Sequence, residues 1–135
     1  MKITSVPIVH IPDPILVTPS KKVTVFDEKL ISMIEIMKKT LSEAKKPKGV
    51  GLAGPQAGFP YRIFVTKPTP KAEIRTFINP VIISQNEPDM RPGKKNDSLE
   101  GCLSIPNIWG YVHRSDSLVL TYQDETGQNH TEQFD

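Results

Sequence analysis

The clearest pattern of apolar and polar positions lies between Phe26 and Ala44. Apolar residues recur there at steps of three or four, with one adjacent pair, which places them on one face of an α-helix; they are Phe26, Leu30, Met33, Ile34, Met37, Leu41 and Ala44. Asp27 is a candidate N-cap at the start of the stripe, and Pro47 ends the pattern. The stripe predicts one long amphipathic helix whose methionines pack in a core.

After the helix the pattern becomes typical of β-strands. The segments 61–66, 76–83 and 117–123 are rich in β-branched and aromatic residues, and apolar residues alternate along the last of them. The sequence DETG at 124–127 predicts a turn with glycine at its end. It leads into QNHTEQF, which we expect to be the hairpin partner of the preceding strand.

The segments outside these elements are rich in proline or in polar residues. Four prolines in residues 1–20 predict an extended arm without a helix. Residues 84–98 are polar and predict a loop. With no internal repeat and no linker, we expect residues 1–135 to form a single α+β domain, with an arm, one long helix and then antiparallel strands.

Composition narrows the classes of protein that need to be considered. The chain has 135 residues, a formal net charge of +2 and one cysteine. One cysteine excludes an internal disulfide framework, and the small net charge gives no case for nucleic acid as a partner. Prolines interrupt any signal-peptide core, and no apolar run approaches the length of a membrane span. The predicted location is therefore cytoplasmic, with no membrane partner.

The first motif that could take part in binding or catalysis is GVGLAGPQAG, at 49–58. It is not a phosphate-binding loop, because no Lys-Ser or Lys-Thr pair follows the glycines and the stretch follows a helix rather than a strand. The amide of Gln56 offers two N–H donors without charge, which suits an oxyanion. On spacing alone, a surface connection with no chemical role is the favoured alternative.

The second motif is EGCLS, at 100–104, which contains the one cysteine of the chain. The Cys102 thiolate could be a nucleophile or a metal ligand. The histidines that could assist it, His10, His113 and His130, are not at a recognisable spacing, and paired cysteines are absent. Taken by itself, Cys102 is therefore favoured as an inert core residue.

Taken together, GVGLAGPQ and EGCLS resemble the peptide deformylase family. The similarity extends to HIPDPIL in the arm, to FINPVI in a predicted strand and to GCLSIPNIWGYVHR around the cysteine, so it covers almost the whole chain. The resemblance implies a deformylase-like α+β fold. It also implies a metal-dependent hydrolase that removes the formyl group from the N-terminal formyl-methionine of nascent proteins.

The resemblance also implies roles for individual residues. Cys102 is implied to be a ligand of one divalent metal, natively Fe(II) and in some preparations Zn or Ni. Gln56 and the backbone N–H of Leu103 are implied to stabilise the oxyanion. Three further residues are implied to line the substrate cleft; they are Val50, Gly51 and Glu100. Gly54 stands where alanine is commoner, and we expect a looser loop as the consequence.

A third motif of the family, a helix with the sequence H-E-x-x-H, is not present in this sequence. The sequence therefore predicts a chain that lacks the C-terminal metal-binding helix, binds metal weakly or not at all, and is inactive by itself. Three explanations stay open. The chain is an N-terminal portion of a deformylase, a non-catalytic binder of formyl peptides or the ribosome, or one part of an assembly in which another chain supplies the helix.

The missing helix also leads to an expectation about exposure. Without such a helix, we expect the strand face around Leu118, Leu120 and Tyr122 to contribute to an exposed apolar patch and the domain to be marginally stable.

Overall fold

A computed structural model of the chain describes residues 4–44, 50–85, 97–113 and 117–134, with only the backbone described at 97–101 and 105–113. One α-helix, α1, spans Glu28–Glu43. The strands are β1 (Gly51–Ala53), β2 (Ile63–Thr66), β3 (Arg75–Gln85), β4 (Asp97–Cys102), β5 (Ile105–His113), β6 (Leu118–Gln123) and β7 (Asn129–Phe134). None of the helices in the described ranges is long and apolar enough to cross a membrane.

The strands form two antiparallel sheets. Five of them are hydrogen-bonded in the order β1-β2-β3-β6-β7, and β4 pairs with β5 as a separate two-stranded sheet. The strands predicted at 61–66, 76–83 and 117–123 correspond to β2, β3 and β6. The predicted hairpin is also confirmed, because β6 pairs with β7 from Leu118 opposite Phe134 to Gln123 opposite Asn129. The α+β class is therefore confirmed.

The predicted stripe of α1 faces the main sheet. Asp27 caps the helix by accepting the Leu30 N–H at 3.1 Å, which satisfies one of the otherwise unpaired first-turn donors. The buried helix residues are Leu30, Ile34, Met37, Thr40 and Leu41. The four apolar ones, all but Thr40, pack with Leu52, Ile63, Val65 and Ile78 of the strands. Burial of each large apolar side chain stabilises the fold by about 1.5–3 kcal/mol. Pro47 lies outside the described residues.

The arm differs from the sequence-based expectation in one place. Pro14–Val17 forms a short 3-10 helix, and the Asp13 carboxylate accepts the Ile15 N–H at 3.0 Å. Proline is tolerated there because its missing N–H would have no partner in a first turn. Four prolines therefore exclude an α-helix in the arm, but not a single 3-10 turn.

The face of the sheet opposite α1 is better covered than the sequence suggests. Leu120 and Tyr122 are only 7% and 9% exposed, so they add little to the exposed patch expected around them, although Leu118 and Leu120 do line an open, mostly apolar groove. Aromatic side chains of the same face cover them: Phe77 lies edge-on to Tyr122 at 4.7 Å and to Phe134 at 5.8 Å between ring centroids. An open groove of about 570 Å³ remains beside Phe77 and Phe134.

Charged side chains on the β6–β7 hairpin have perturbed pKa values. The pKa of Asp124 lies well below its ordinary value of 3.8, because its carboxylate accepts hydrogen bonds from the Thr126 hydroxyl and then from the His130 ring, the latter at 2.7 Å. The pKa of Glu132 lies below its ordinary value of 4.5, because its carboxylate accepts hydrogen bonds first of all from Arg75, the shortest at 2.6 Å. Both carboxylates are therefore stabilised in the charged form.

These shifts predict a loss of stability in acid. A carboxyl group whose pKa is lowered by folding stabilises the folded state above its unfolded pKa and loses that contribution as the pH falls through the folded pKa. We expect the melting temperature to fall as the pH drops below about 4.5. The double variant Asp124→Asn/Glu132→Gln should show a shallower fall. Thermal unfolding at pH 6, 4 and 3 checks this, and identical pH profiles for both proteins would contradict it.

Candidate functional site

Gln56 is held in one orientation by the backbone of its own motif. It lies in a 3-10 helix at Gly54–Ala57 that directly follows β1. Its side-chain oxygen, Oε1, accepts the Ala53 N–H at 2.9 Å. Since an N–H can only donate, this contact fixes which end of the carboxamide is oxygen, and the Nε2 group points the other way. The amide therefore presents its two donors to a defined neighbour.

That neighbour is the turn after β4. Gln56 Nε2 donates to Ser104 Oγ at 3.2 Å and to Cys102 Sγ at 3.6 Å. Cys102 ends β4 and pairs with Ile105 across a two-residue turn, and its thiol is free and exposed. The interpretation of Cys102 as an inert core residue is therefore wrong. The two motifs lie in direct contact, although 46 residues separate the glutamine from the cysteine.

The N-terminal arm contacts the backbone of both motifs. The Val9 N–H donates to the Gln56 carbonyl at 2.7 Å, and the Ile11 N–H donates to the Ser104 carbonyl at 3.1 Å. Residues two apart in an extended segment can direct their N–H groups to the same side. The arm therefore bridges the glutamine and the cysteine turn from one side.

The remaining candidate residues are placed to different degrees. Leu103 lies in the turn beside Cys102 with its side chain in the core at 8% exposure, so the turn is anchored next to the thiol. Gly51 begins β1 opposite Thr66. Val50 is 58% exposed, and its carbonyl accepts the Lys67 N–H at 2.7 Å. Glu100 lies in β4 opposite Gly110, and its side chain is outside what the structure describes. A cleft-lining role for Val50, Gly51 and Glu100 stays a prediction.

Gly54 is tightly packed rather than loose. An ideal Cβ at this position would lie 2.8 Å from the carbonyl oxygens of both Phe59 and Tyr61. Real Cβ atoms do not approach backbone oxygens so closely, and backbone atoms cannot rotate away as a flexible side chain can. The expectation of a looser loop is therefore wrong for this chain, because the absence of a Cβ is what allows the close approach.

Alanine at position 54 is expected to destabilise the protein. Gly54→Ala forces the backbone at Phe59 or Tyr61 to move, and overpacking of this kind costs about 1–3 kcal/mol. Gly51→Ala is the matched control, because its Cβ would meet only the Val65 carbonyl at an ordinary 3.7 Å. Urea unfolding midpoints of the two variants provide the measurement. Equal midpoints would show that the close approach at Gly54 is not a constraint.

The donors available for a metal are few. An exposed thiol suits Fe(II), Zn(II) or Ni(II) as one ligand. In the described part of the chain, no group of three or more His, Cys, Asp or Glu side chains could hold a metal ion. His130 is engaged with Asp124, His10 is exposed in the arm, and the side chain of His113 is not described. The described residues therefore offer Cys102 as one suitable donor, but no complete ligand set.

Because Cys102 is a single donor, we predict that residues 1–135 bind metal weakly. Titration of residues 1–135 with Co(II) is expected to give low affinity, because a catalytic site of this type needs three protein ligands. Any thiolate charge-transfer band should disappear in Cys102→Ser. Tight one-to-one binding with a tetrahedral spectrum would contradict this prediction and would indicate that histidines converge on Cys102.

Ser104 is a site residue that the sequence reasoning missed. Its hydroxyl contacts Gln56, its carbonyl contacts the arm, and the residue is 3% exposed. The signal available in the sequence was its place within EGCLS, two residues after the cysteine. Serine is common on protein surfaces, so nothing in its residue type indicated burial against Gln56.

Comparison with known proteins points to one family. The family model described as Polypeptide deformylase matches residues 5–135. A peptide deformylase of Opitutus terrae is 37% identical over 142 residues, which cover 94% of this chain and 71% of that protein. One from Pseudothermotoga lettingae is 38% identical over 122 residues, with coverage of 90% and 64%. The chain thus spans 64–71% of the length of these two relatives.

The fold comparison agrees. The crystal structure of a peptide deformylase from Legionella pneumophila matches with a TM-score of 0.85 at 30% identity, covering 97% of this chain and 72% of that chain. Both the sequence and the three-dimensional similarity extend over almost all of this chain, and they include the segments that bring Gln56 and Cys102 together.

Proposed function

Because the chain belongs to the polypeptide deformylase family, we propose that it contributes to hydrolysis of the formyl group from the N-terminal formyl-methionine of nascent proteins. The observation that carries this proposal is the contact between the two motifs, with Gln56 Nε2 held 3.6 Å from Cys102 Sγ. A neutral donor of fixed orientation beside a thiol that can bind a metal suits a site that hydrolyses a formamide. It fits less well with a surface connection that has no chemical role.

Gln56 and Leu103 act on the reacting carbonyl. Attack of water on a formamide places negative charge on its oxygen, and donors that are oriented beforehand stabilise that charge without reorganising. The Ala53 N–H orients the Gln56 carboxamide. The backbone N–H of Leu103, in the turn between Cys102 and Ile105, would be the second donor. Anchoring of the Leu103 side chain in the core keeps this part of the turn in place.

Cys102 would hold the metal as one of its ligands. When bound, a divalent metal supplies a deprotonated water near neutral pH and polarises the carbonyl. Thiolate is a suitable ligand for iron or zinc, and the exposure of Cys102 leaves it accessible. Val50, Gly51 and Glu100 would line the path of the methionine side chain and the peptide backbone.

We further propose that residues 1–135 are not sufficient for catalysis. The other ligands and the general base would come from an H-E-x-x-H helix on polypeptide outside these residues, either in continuous sequence or on a separate chain. The substrate would be the formyl-methionine end of a nascent peptide, with the ribosome as the partner that presents it and the cytoplasm as the location.

The test is formate release by a joined protein, in which an H-E-x-x-H segment of a deformylase follows Asp135. With Fe(II), Ni(II) or Co(II) and a formyl-Met-Ala peptide, we expect turnover that Cys102→Ser abolishes. A joined protein that folds and binds metal but releases no formate would contradict the proposed activity. If that protein still bound the peptide, a non-catalytic binding function would replace it.

A further inference from the structure

Ser104 connects three segments of the molecule at one point. Its hydroxyl oxygen accepts a hydrogen bond from Gln56 Nε2 at 3.2 Å, and its carbonyl oxygen accepts one from the Ile11 N–H at 3.1 Å. The residue is 3% exposed, so bulk water does not compete freely for these contacts. A buried serine with both its hydroxyl and its carbonyl in such contacts is constrained far more than an average surface serine.

The partners of the two Gln56 N–H donors show how the contact with Ser104 orients the amide. A primary amide has two N–H donors. One of them is directed to Ser104 Oγ and the other towards Cys102 Sγ, at 3.2 and 3.6 Å. Nitrogen–sulfur contacts are weak, whereas the serine contact is an ordinary hydrogen bond. The serine therefore fixes one proton of the amide, and the other is left directed at the side where Cys102 is exposed.

The geometry points to Ser104 as a positioning residue that sets the direction of the Gln56 donor. Rotation of the carboxamide about its last bond would break the Ala53 and Ser104 contacts together, because these contacts lie at its two ends. The relevance of this positioning to catalysis rests on the proposed function of Gln56, whereas the positioning itself does not.

The arm supports the same arrangement from the backbone side. The hydrogen bonds from Val9 and Ile11 tie the carbonyls of Gln56 and Ser104 to one extended segment. The distance between the two residues is thereby limited independently of their side chains. Loss of the serine hydroxyl should therefore free the amide of Gln56 without separating the two motifs.

The experiment measures the side-chain amide protons of Gln56 by NMR in ¹⁵N-labelled residues 1–135, with Gln56→Ala used to assign them. In Ser104→Ala we expect water exchange of these protons to rise about fivefold, as for loss of one hydrogen bond, together with a change in their chemical shifts. Ser104→Thr keeps a hydroxyl and should restore the original signature. Ser42→Ala removes an exposed helix hydroxyl that donates to the Lys38 carbonyl and is the matched control.

Two results would overturn the inference. One is a Gln56 signature in Ser104→Ala that is the same as in Ser42→Ala. The other result needs no variant to fold. It is that the unchanged chain shows no nuclear Overhauser effect between the Gln56 amide protons and the Ser104 β-protons. Failure of formate release in the joined protein with the NMR signature intact would instead reject the proposed function and leave the positioning role in place.

Discussion

Residues 1–135 alone are expected to release no measurable formate from a formyl-Met-Ala peptide, whichever of Fe(II), Ni(II) or Co(II) is added. Cys102 is one donor, and the described residues contain no group of three or more His, Cys, Asp or Glu side chains that could hold a metal ion. Catalytic zinc-type sites use three protein ligands and leave the fourth position for water. Without the metal, neither an activated water nor a polarised carbonyl is available.

The expected loss is large because the missing groups act as a unit. Removal of one member of a catalytic set costs several powers of ten in rate, and removal of further members adds little to that loss. Gln56 and Leu103, the proposed oxyanion donors, would remain in place, but donors cannot replace the nucleophile. We therefore expect a rate at the level of the uncatalysed reaction, even though the two motifs are in contact.

The measurement compares formate release by residues 1–135 with that of the joined protein under the same metal conditions. Cys102→Ser in each background is the matched control. Turnover in residues 1–135 that disappears in Cys102→Ser would contradict the prediction, because it would require a different ligand set around the same thiol. Turnover that survives Cys102→Ser in either protein would exclude Cys102 as the essential ligand.

Local patterns account for the elements that the sequence predicted. The α1 stripe repeats along a helix of 16 residues, about four turns, and its first-turn donors have a cap in Asp27, so periodicity and local chemistry agree. The β6–β7 hairpin combines alternating residues with a DETG turn whose Gly127 adopts a φ of 86°. Such signals lie within a few residues of one another and need no knowledge of tertiary contacts.

Elements that depend on distant contacts could not be predicted. β1 has only three residues and exists because it pairs with β2. The β4–β5 pair is separate from the main sheet and has no clear alternation. Asn79 is an extreme case: it adopts a φ of 50° inside β3, where its side chain bonds both the N–H and the carbonyl of Val23. No local rule indicates a partner 56 residues away.

The candidate site divides in the same way. Gln56, Leu103 and Cys102 were named from motifs, and the structure brings Gln56 Nε2 to the Cys102 thiol; their chemical roles stay predictions. The exposure of Cys102 and the contacts of Ser104 could not be predicted from the sequence, because both follow from how the turn after β4 meets the 3-10 helix of Gln56. The motifs therefore named the candidate site residues, and the fold was needed to establish the distances and contacts between them.

Gln56→Ala in the joined protein is expected to lower kcat by about 10²–10³-fold, the usual consequence of removing one oxyanion donor. The Michaelis constant should change little, because the donor acts mainly on charge that develops in the transition state. Gln128→Ala is the matched control, since Gln128 is exposed in the β6–β7 turn. Formate release over a range of peptide concentrations separates kcat from the Michaelis constant.

Gln56→Glu makes this prediction more specific. Glutamate has nearly the same shape, and one carboxylate oxygen can still accept the Ala53 N–H, whose present distance to Oε1 is 2.9 Å. The other oxygen then replaces Nε2, so it cannot donate and it places negative charge near the oxyanion. We expect a loss of kcat at least as large as in Gln56→Ala. Near-normal kcat in Gln56→Glu would mean that Gln56 supports the loop rather than the oxyanion, since only the donor and the charge differ between the two side chains.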